Sequence, residues 1–133
     1  MRTIDLGTIL SLTGASILTT YAEGAAKAVG SAGRVRATLR VVSIGGTAIT
    51  SVQAKLQASS DGAAGWHDIE SQGDEDATST TALEHSITIT AGTTQEVSFA
   101  VEGPFDFIRL AAKATGGAGQ AGESLTGSAD AQL

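Results

Sequence analysis

The sequence contains no cysteine, one proline and few aromatic residues, and these shortages limit its possible cross-links, turns and core residues. Without cysteine there is no disulfide framework and no Cys-based zinc or redox site. His67 and His85 are the only histidines. With one proline and 17 glycines among 133 residues, turns depend mainly on Gly, Ser, Asp and Thr. Aromatic residues make up only 4% of the chain, so Ala, Val, Ile and Leu must form the core. The length indicates a single domain, residues 1–133, with two packed layers.

The net charge of −6 argues against nucleic-acid binding, because neutralising phosphates requires a basic surface. Residues 1–60 carry six basic and two acidic residues, whereas residues 61–133 carry two basic and twelve acidic residues. Two interpretations fit this asymmetry. In the favoured interpretation, strands of opposite charge lie side by side within one fold. In the other, the charges orient copies of the chain against one another or against a host surface.

The N-terminal stretch is apolar but interrupted. An arginine followed by apolar and small residues has the order of a signal peptide. Asp5 and scattered glycines and threonines break this run, which is also far short of a membrane span. The sequence therefore predicts a chain that keeps this stretch, is assembled in the cytosol and has no membrane partner. Residues such as Ile4 and Leu6 are too apolar to remain in water, so residues 1–33 are predicted to supply a first strand, an assembly arm that packs on an adjacent subunit, or both.

Alternation of apolar and polar residues is the strongest signal in the chain. It recurs in residues 34–41, 52–58, 83–90, 97–102, 107–114 and 124–133. Short alternating strands joined by Gly-rich turns predict an all-β fold, an antiparallel β-sandwich of jelly-roll or Ig-like topology with about 7–8 strands. Residues 15–32 are predicted to form a strand near SILTTYA followed by a loop, since Gly24 and Gly30 disfavour a helix. The acidic segment 71–82 is predicted to be an exposed, mobile loop.

Trp66, His67 and Asp68 follow a Ser-Ser-Asp-Gly turn and could be taken for a site. The turn residues indicate a β-hairpin instead. Trp66 is then a structural anchor that packs over one edge of the core, where its large ring buries apolar area. His67 and Asp68 are neighbours in a strand and face opposite sides, which is poor geometry for a catalytic pair.

No other pattern has the spacing of a catalytic, metal or cofactor site. No serine lies in a Gly-x-Ser-x-Gly turn, and His85 is in phase with the apolar residues of its strand. Asp74, Glu75 and Asp76 do not match a calcium-binding loop. TGGAGQAGES lacks the Lys-Ser/Thr ending of a phosphate loop. The sequence therefore predicts no catalytic residues, no metal, no cofactor and no enzymatic activity.

Three segments together resemble small β-sandwich accessory virion proteins of tailed bacteriophages and related prophages. The resemblance covers roughly residues 34–133 and lies in RVRATLRVVSIGGTAITSVQAKLQASSDGAAGWHDIE, QEVSFAVEGPFDFIRLAAKATGG and SLTGSADAQL. It implies a structural protein that decorates or stabilises a capsid or joins head and tail. The implied partners are capsid, portal or tail proteins and copies of the chain itself, in a homo-oligomer. The implied location is the virion, after assembly in the host cytoplasm.

Two groups of residues are candidates for such contacts. Arg34, Arg36 and Arg40 share one parity along a strand and are predicted to contact acidic surface on a neighbour. Ile4 and Leu6 are predicted to contact an adjacent subunit if the N-terminal stretch is an arm. The alternative function is a carbohydrate- or surface-binding β-sandwich module, such as a fibre or adhesion domain. That function requires a planar aromatic platform, and most of the five aromatic residues are in phase with core positions.

Overall fold

The computed structural model describes residues 2–69 and 84–133. These residues form eight strands and a single short 3₁₀ turn, Gly14–Ser16, and contain no α-helix. The predicted all-β antiparallel fold is thereby confirmed, whereas the predicted acidic loop 71–82 lies outside the described residues. The strands are β1 (Thr3–Thr13), β2 (Ala22–Glu23), β3 (Lys27–Val42), β4 (Ser51–Ser59), β5 (His67–Asp68), β6 (Glu84–Thr88), β7 (Thr94–Thr115) and β8 (Ser124–Gln132).

The long strand β7 belongs to both layers of the fold. The hydrogen-bonded order is β1-β8-β3-β7-β4-β5, with β2 beside β7 and β6 beside β4. Residues 94–102 of β7 pair with residues 34–42 of β3, residues 105–108 pair with the start of β3, and residues 107–115 pair with β4. Layer A therefore comprises β1, β8, residues 34–42 of β3 and the first part of β7. Layer B comprises β2, the start of β3, the last part of β7, β4, β5 and β6. All pairs are antiparallel.

The two layers pack face to face. Gly127 of β8 lies so close to Leu110 of β7 that a Cβ atom at position 127 would overlap the Leu110 side chain. The alternation seen in the sequence accounts for most of this interface, since inward residues of a strand are every second one. The fully buried large side chains include Leu39, Leu56, Ile108, Leu110 and Leu125.

Strand β3 begins earlier than the alternation indicates. Residues 27–32, predicted to be part of a loop, belong to β3, and the register with β7 shifts between Ala28 and Arg34. Gly30 and Ser31 both have φ of +59°, a left-handed conformation that interrupts the pleat and hides the strand from a period-two search. The strand predicted near SILTTYA is also wrong. Leu18 accepts a single backbone hydrogen bond from Ala114, and only Ala22–Glu23 is a strand.

Strand β7 is continuous between residues 97–102 and 107–114, which the alternation in the sequence treats as separate segments. The chain passes through Gly103 and Pro104 without leaving the strand. A side chain at Gly103 would overlap the carbonyl oxygen of Ala32, so the two long strands approach closely at the place where β7 passes from layer A to layer B. The C-terminal end also differs from the sequence pattern, because Leu133 is 45% exposed rather than in the buried row.

The N-terminal stretch forms β1 and pairs with β8 along its length, with two register shifts. Ile9 and Leu10 are adjacent in sequence, yet both are buried, because a register shift lies between Thr8 and Leu10. Ile4 and Leu6 are half-buried, and Leu6 packs against the core. The stretch thus supplies a first strand of the chain's own sandwich. That this stretch also acts as an assembly arm, in contact with an adjacent subunit, remains a prediction.

Candidate interaction faces

The outer side of layer A is a broad four-stranded surface, named face A here. Its residues follow from the register between β1, β8, β3 and β7, and all are exposed or half-buried. Ten of its twenty positions are Ser or Thr, which gives a low surface of short polar side chains. Face A consists of Thr3, Asp5, Thr8, Ser11 and Thr13 on β1; Ser124, Thr126, Ser128, Asp130 and Gln132 on β8; Arg34, Arg36, Thr38, Arg40 and Val42 on β3; and Thr94, Glu96, Ser98, Ala100 and Glu102 on β7.

The three predicted interface arginines lie together on face A. Arg34 is 3.5 Å from Glu102, and Arg40 is 3.9 Å from Glu96, each measured from Nε to Oε1. The acidic partners are on β7, so strands of opposite charge lie side by side as the favoured interpretation of the charge asymmetry predicts. Both pairs are well exposed, and such pairs contribute about 0–1 kcal/mol. Contact of these arginines with a neighbouring protein stays a prediction.

Arg36 differs from the other two arginines. Its register neighbours are Ala100 on β7 and Asp130 on β8, and within the described residues no carboxylate oxygen lies within 4.0 Å of its guanidinium. The short side chain of Ala100 leaves a shallow depression of about 330 Å³ beside Arg36, also lined by Arg34, Ser98, Phe99 and Gln132. Among the described residues, Arg36 is therefore the cation of face A that has no ion pair, and it lies at the edge of this depression.

The outer side of layer B, named face B, carries a connected set of aromatic and charged side chains. The Arg109 guanidinium stacks over the Trp66 ring at 4.4 Å and donates from Nε to Gln57 at 2.7 Å. Gln57 in turn donates to Asp68 at 2.8 Å. Asp68 also accepts from Lys55 at 3.0 Å, in a pair that is largely shielded from solvent. Hydrogen bonds thus run from the hairpin to the centre of the layer.

The set continues to the segment before β2. The ammonium of Lys55 lies 4.1 Å from the centre of the Tyr21 ring, and the ammonium of Lys113 lies 4.8 Å from it. The Tyr21 hydroxyl donates a hydrogen bond to Glu84 on β6. Tyr21 therefore ties the segment before β2 to β4, β6 and β7, since cations over aromatic faces are attracted by the ring quadrupole.

The titration of two groups follows from these contacts. Burial, the hydrogen bond to Glu84 and the negative charges of Glu84 and Asp68 raise the pKa of Tyr21 well above its ordinary value, so its hydroxyl remains a donor. The hydrogen bond from Gln57, followed by the Lys55 ammonium, lowers the pKa of Asp68, although burial opposes this shift. Asp68 is therefore ionised near neutral pH and acts as an acceptor.

Trp66 occupies a different place from the one predicted. The hairpin itself is confirmed, since Gln57 pairs with Asp68 and Ala58 with His67. The ring of Trp66, however, is half-buried on face B under Arg109 and does not join the core. Ile69, at 3% exposure, is the core residue of this hairpin. Packing of Trp66 over the core edge was therefore a wrong prediction, and its role as an anchor of the hairpin through Arg109 stays a prediction.

His85 lies where the two layers meet. Its ring stacks on Phe99, with ring centroids 4.0 Å apart and planes 17° apart. Its Nε2 atom is buried and has no hydrogen-bond partner in the described part of the chain. Burial lowers the pKa of His85, because an imidazolium is disfavoured away from water. His67, in contrast, is exposed.

Across residues 2–69 and 84–133, no group of three or more His, Asp or Glu side chains is placed to hold a metal ion. No helix in that part of the chain has the length and apolarity to cross a membrane. The sequence reasoning missed the contacts of Tyr21, Glu84 and Arg109. Lys55, Arg109 and Lys113 all lie at polar positions of alternating strands, but the sequence does not show that these two strands pair with each other.

Comparisons with known proteins do not assign the chain to a family. No protein-family model matches the chain, and no curated protein matches it. Among solved structures, one chain from "Bacillus endospore appendages form a novel family of disulfide-linked pili" is similar, with 14% identity over 99% of this chain and 89% of that chain and a TM-score of 0.47. That identity and that TM-score carry no conclusion about function.

Proposed function

We propose that this chain is a non-enzymatic structural subunit that acts in many copies through protein–protein contacts. The particle that the sequence resemblance implies is the virion of a tailed bacteriophage or prophage, where the chain decorates or stabilises the capsid or joins head and tail. Its partners in this proposal are capsid, portal or tail proteins and further copies of itself, and its location is the virion.

The observation that carries this proposal is face A. Four antiparallel strands present twenty outward positions, half of them Ser or Thr, and the depression beside Arg36 on this surface is open to solvent. Flat polar surfaces with local charge pairs suit protein–protein contacts that form after folding. Their polar groups remain solvated in the free subunit and can pair with polar groups of the partner across the interface. Surface of this shape supports packing against a protein more readily than enclosure of a small substrate.

The proposal is tested by purifying the particles made by the source culture and determining the copies of this chain per particle by quantitative mass spectrometry. We expect many copies in fixed ratio to the major particle protein, together with density of a β-sandwich in an image of the particle. Recovery of the chain only as a free protein, with no copies in purified particles, would contradict the proposal.

One observation favours the alternative, a carbohydrate- or surface-binding module. Tyr21 and Trp66 both lie on face B, on the same side of layer B, and aromatic rings of this kind can stack on sugars. The rings are however already covered by Lys55, Lys113 and Arg109 at 4.1 to 4.8 Å. Titration with soluble polysaccharides, followed by the fluorescence of Trp66, separates the two functions. Saturable quenching that is lost in Tyr21→Ala, a variant that keeps the single tryptophan as fluorophore, supports the module and argues against a purely structural subunit.

A further inference from the structure

Layer A ends on one side at β1 and on the other side at the first part of β7. The backbone of an edge strand can pair with a further strand, and proteins commonly prevent this with bulges, charges or covering segments. Strand β1 is protected in this way. Its pairing with β8 has two register shifts, the Asp5 carboxylate accepts a hydrogen bond from the N–H of Gly7, and the Ile9 carbonyl accepts from Ala25. Strand β1 is therefore unsuited to regular pairing with another strand.

Residues 94–102 of β7, named the β7 edge here, lack this protection. Among the described residues they pair with β3 and with no other strand, in an unbroken register. No proline and no inward-facing charge interrupts them. The acids Glu96 and Glu102 on the outer side are paired with arginines of β3.

No other edge in the described part of the chain is comparable. In layer B the outer strands β2, β5 and β6 have two, two and five residues, and register shifts interrupt the start of β3. If copies of this chain pair through regular strand edges, the β7 edge of one copy must therefore pair with the β7 edge of another.

The outer side of the β7 edge fits this pairing. When residues 94–102 of two antiparallel copies overlap in full, the twofold axis lies at Ser98. Glu96 then lies opposite Ala100 of the second copy, and Glu102 lies opposite Thr94, as the sequence positions require. No like charges are directly opposed, which would disfavour the pair.

The same register provides a charge contact between the copies. Arg36 is the neighbour of Ala100 on β3, and Ala100 of one copy lies beside Glu96 of the other. Because Ala100 is short and leaves a depression next to Arg36, the guanidinium can extend across it toward that glutamate. Asp130 is the neighbour of Arg36 on the β8 side, so the contact between copies uses the opposite side of the arginine.

The inner side of the β7 edge also fits. Val97 is half-buried and packs against the core, whereas Phe99 is 6% exposed. In the full overlap, Val97 of each copy lies opposite Phe99 of the other. Pairing therefore continues the apolar row of the core from one copy into the next and covers the part of Val97 that is exposed in the single chain.

We propose that two copies of this chain pair along the β7 edge, antiparallel and with the twofold axis at Ser98, so that their layers A form one continuous sheet. This inference rests on the proposed multicopy function and specifies one contact of it. Strand addition is a recurrent mode of protein recognition, and a contact between identical surfaces is closed by its twofold axis. Because β1 is protected, pairing through strand edges ends at the dimer.

The first test is cross-linking through one introduced cysteine, since the chain contains none. Opposed residues of antiparallel strands have Cα atoms about 4.5–5.5 Å apart, which lies within the range of about 4.4–6.8 Å for a disulfide. Ser98→Cys should therefore form a disulfide dimer when oxidised in air with copper phenanthroline. Ser128→Cys is the matched control. Ser128 lies in the same row of face A but two strands from the β7 edge, and this variant should remain monomeric.

The second test is sedimentation velocity over a range of protein concentrations. Ala100→Glu places an acid opposite Glu96 of the second copy at two symmetric positions and should weaken self-association by about fivefold. In its own chain the new acid lies beside Arg36, so the circular dichroism spectrum should not change. Thr126→Glu makes the same change beside Arg40 on β8 and should leave association unchanged. The double variant with Ala100→Glu and Glu96→Lys opposes unlike charges and should recover association.

Equal cross-linking of Ser98→Cys and Ser128→Cys would overturn the inference, as would self-association of Ala100→Glu at the wild-type level. A wild-type chain that stays monomeric at about millimolar concentration, where the weakest specific contacts are detected, would also overturn it. Cross-linking of Ser98→Cys to a different protein in purified particles, without a dimer, would assign the β7 edge to that protein and not to a second copy. The proposed function is decided separately, by the copies of the chain in purified particles.

Discussion

The hydroxyl of Thr47 donates a 2.6 Å hydrogen bond to the carboxylate of Glu123, a side chain that is 2% exposed. The same carboxylate accepts from the backbone N–H of Gln120 at 2.9 Å and from that of Ile44 at 3.4 Å. The backbone carbonyl of Glu123 also accepts from Gly14. One buried acid therefore joins the turn before β8 to the β3–β4 connection and to the 3₁₀ turn. Hydrogen bonds rather than a cation compensate its burial.

Replacement of Glu123 by glutamine should destabilise the protein by about 1–3 kcal/mol. The amide has the shape of the carboxylate, but its NH₂ group would face an N–H or O–H donor and leave it unsatisfied. Urea unfolding followed by circular dichroism measures the change. Glu96→Gln is the matched control, because Glu96 is 62% exposed and its loss should change the stability by less than about 0.5 kcal/mol. Equal midpoints for both variants would show that the Glu123 contacts contribute nothing.

The close approach of Gly127 and Leu110 gives a second prediction. A methyl group at position 127 has no room between Leu110 and Leu10, so Gly127→Ala should destabilise by about 1–3 kcal/mol through overpacking. Leu110→Val in the same chain shortens the obstructing side chain and should recover part of this loss. Gly45→Ala, where a Cβ atom meets nothing within 4 Å, should have little effect. Additive effects of the two core changes in a double-mutant cycle would contradict direct contact.

The sequence predicted the fold class because β4, β8 and the last part of β7 alternate over most of their length. Every second residue of β8 is buried, and the other two strands depart from this pattern only where Gln53, Ser59 and Ala111 are buried as well. A one-residue slip of such a strand would expose its apolar row. These strands could be predicted without knowledge of their tertiary neighbours. Residues such as Leu56, Ile108 and Leu125 are accordingly buried where the pattern places them.

The failures lie where the strands bend. Gly30 and Ser31 break the pattern of β3, and Gly103 and Pro104 resemble a turn, because local composition does not show that a neighbouring strand continues through the same bend. The contacts on face B were hidden for a related reason. Lys55, Tyr21 and Glu84 are far apart in sequence, and only the strand order brings them together. The individual charge pairs of face A could not be predicted either, because they depend on which strand lies beside β3.

Trp66 should contribute less to stability than its size indicates. Because its ring packs on Arg109 rather than in the core, Trp66→Ala should cost about 1–2 kcal/mol, a value typical of a partly shielded cation–π contact. Ile69→Ala, in the core of the same hairpin, should cost about 2–5 kcal/mol. Urea unfolding of the two variants provides the comparison. If Trp66→Ala proved the more damaging change, the ring would have to be part of the core after all.

The contact between Arg109 and Trp66 can be tested separately by tryptophan fluorescence. Arg109→Lys keeps the charge but loses the planar group that stacks on the indole and donates to Gln57, so the two residues are not equivalent here. We expect a red shift of the emission maximum toward that of the unfolded chain, with little change in circular dichroism. Lys113→Arg, near Tyr21 rather than Trp66, is the control and should leave the emission unchanged.

His85 should make the stability of the protein depend on pH in a range where carboxylates do not titrate. Burial lowers the pKa of His85 in the folded protein, so the unfolded chain, with an ordinary pKa of about 6.5, binds the proton more tightly. Stability contributed by neutral His85 is then fully present above pH of about 6.5 and falls as the pH is lowered through that value. The lowered pKa of Asp68 acts in the same direction but only at more acidic pH, near the ordinary value for aspartate.

The groups packed around His85 offer an imidazolium no compensation. Ala54 is its register partner on β4, Phe99 covers its ring from layer A, and the neighbouring Glu84 is engaged with Tyr21 on face B. His85→Phe preserves the stack on Phe99 and removes the titration. Urea midpoints measured from about pH 5 to pH 8, the range in which histidines titrate, should decline on acidification in the wild-type chain and in His67→Phe, and should stay level in His85→Phe. His67→Phe is the control because His67 is exposed and its ring makes only a 3.4 Å contact with the Gly65 carbonyl. If the midpoint of His85→Phe declined on acidification as much as that of the wild-type chain, the pH dependence would belong to another group.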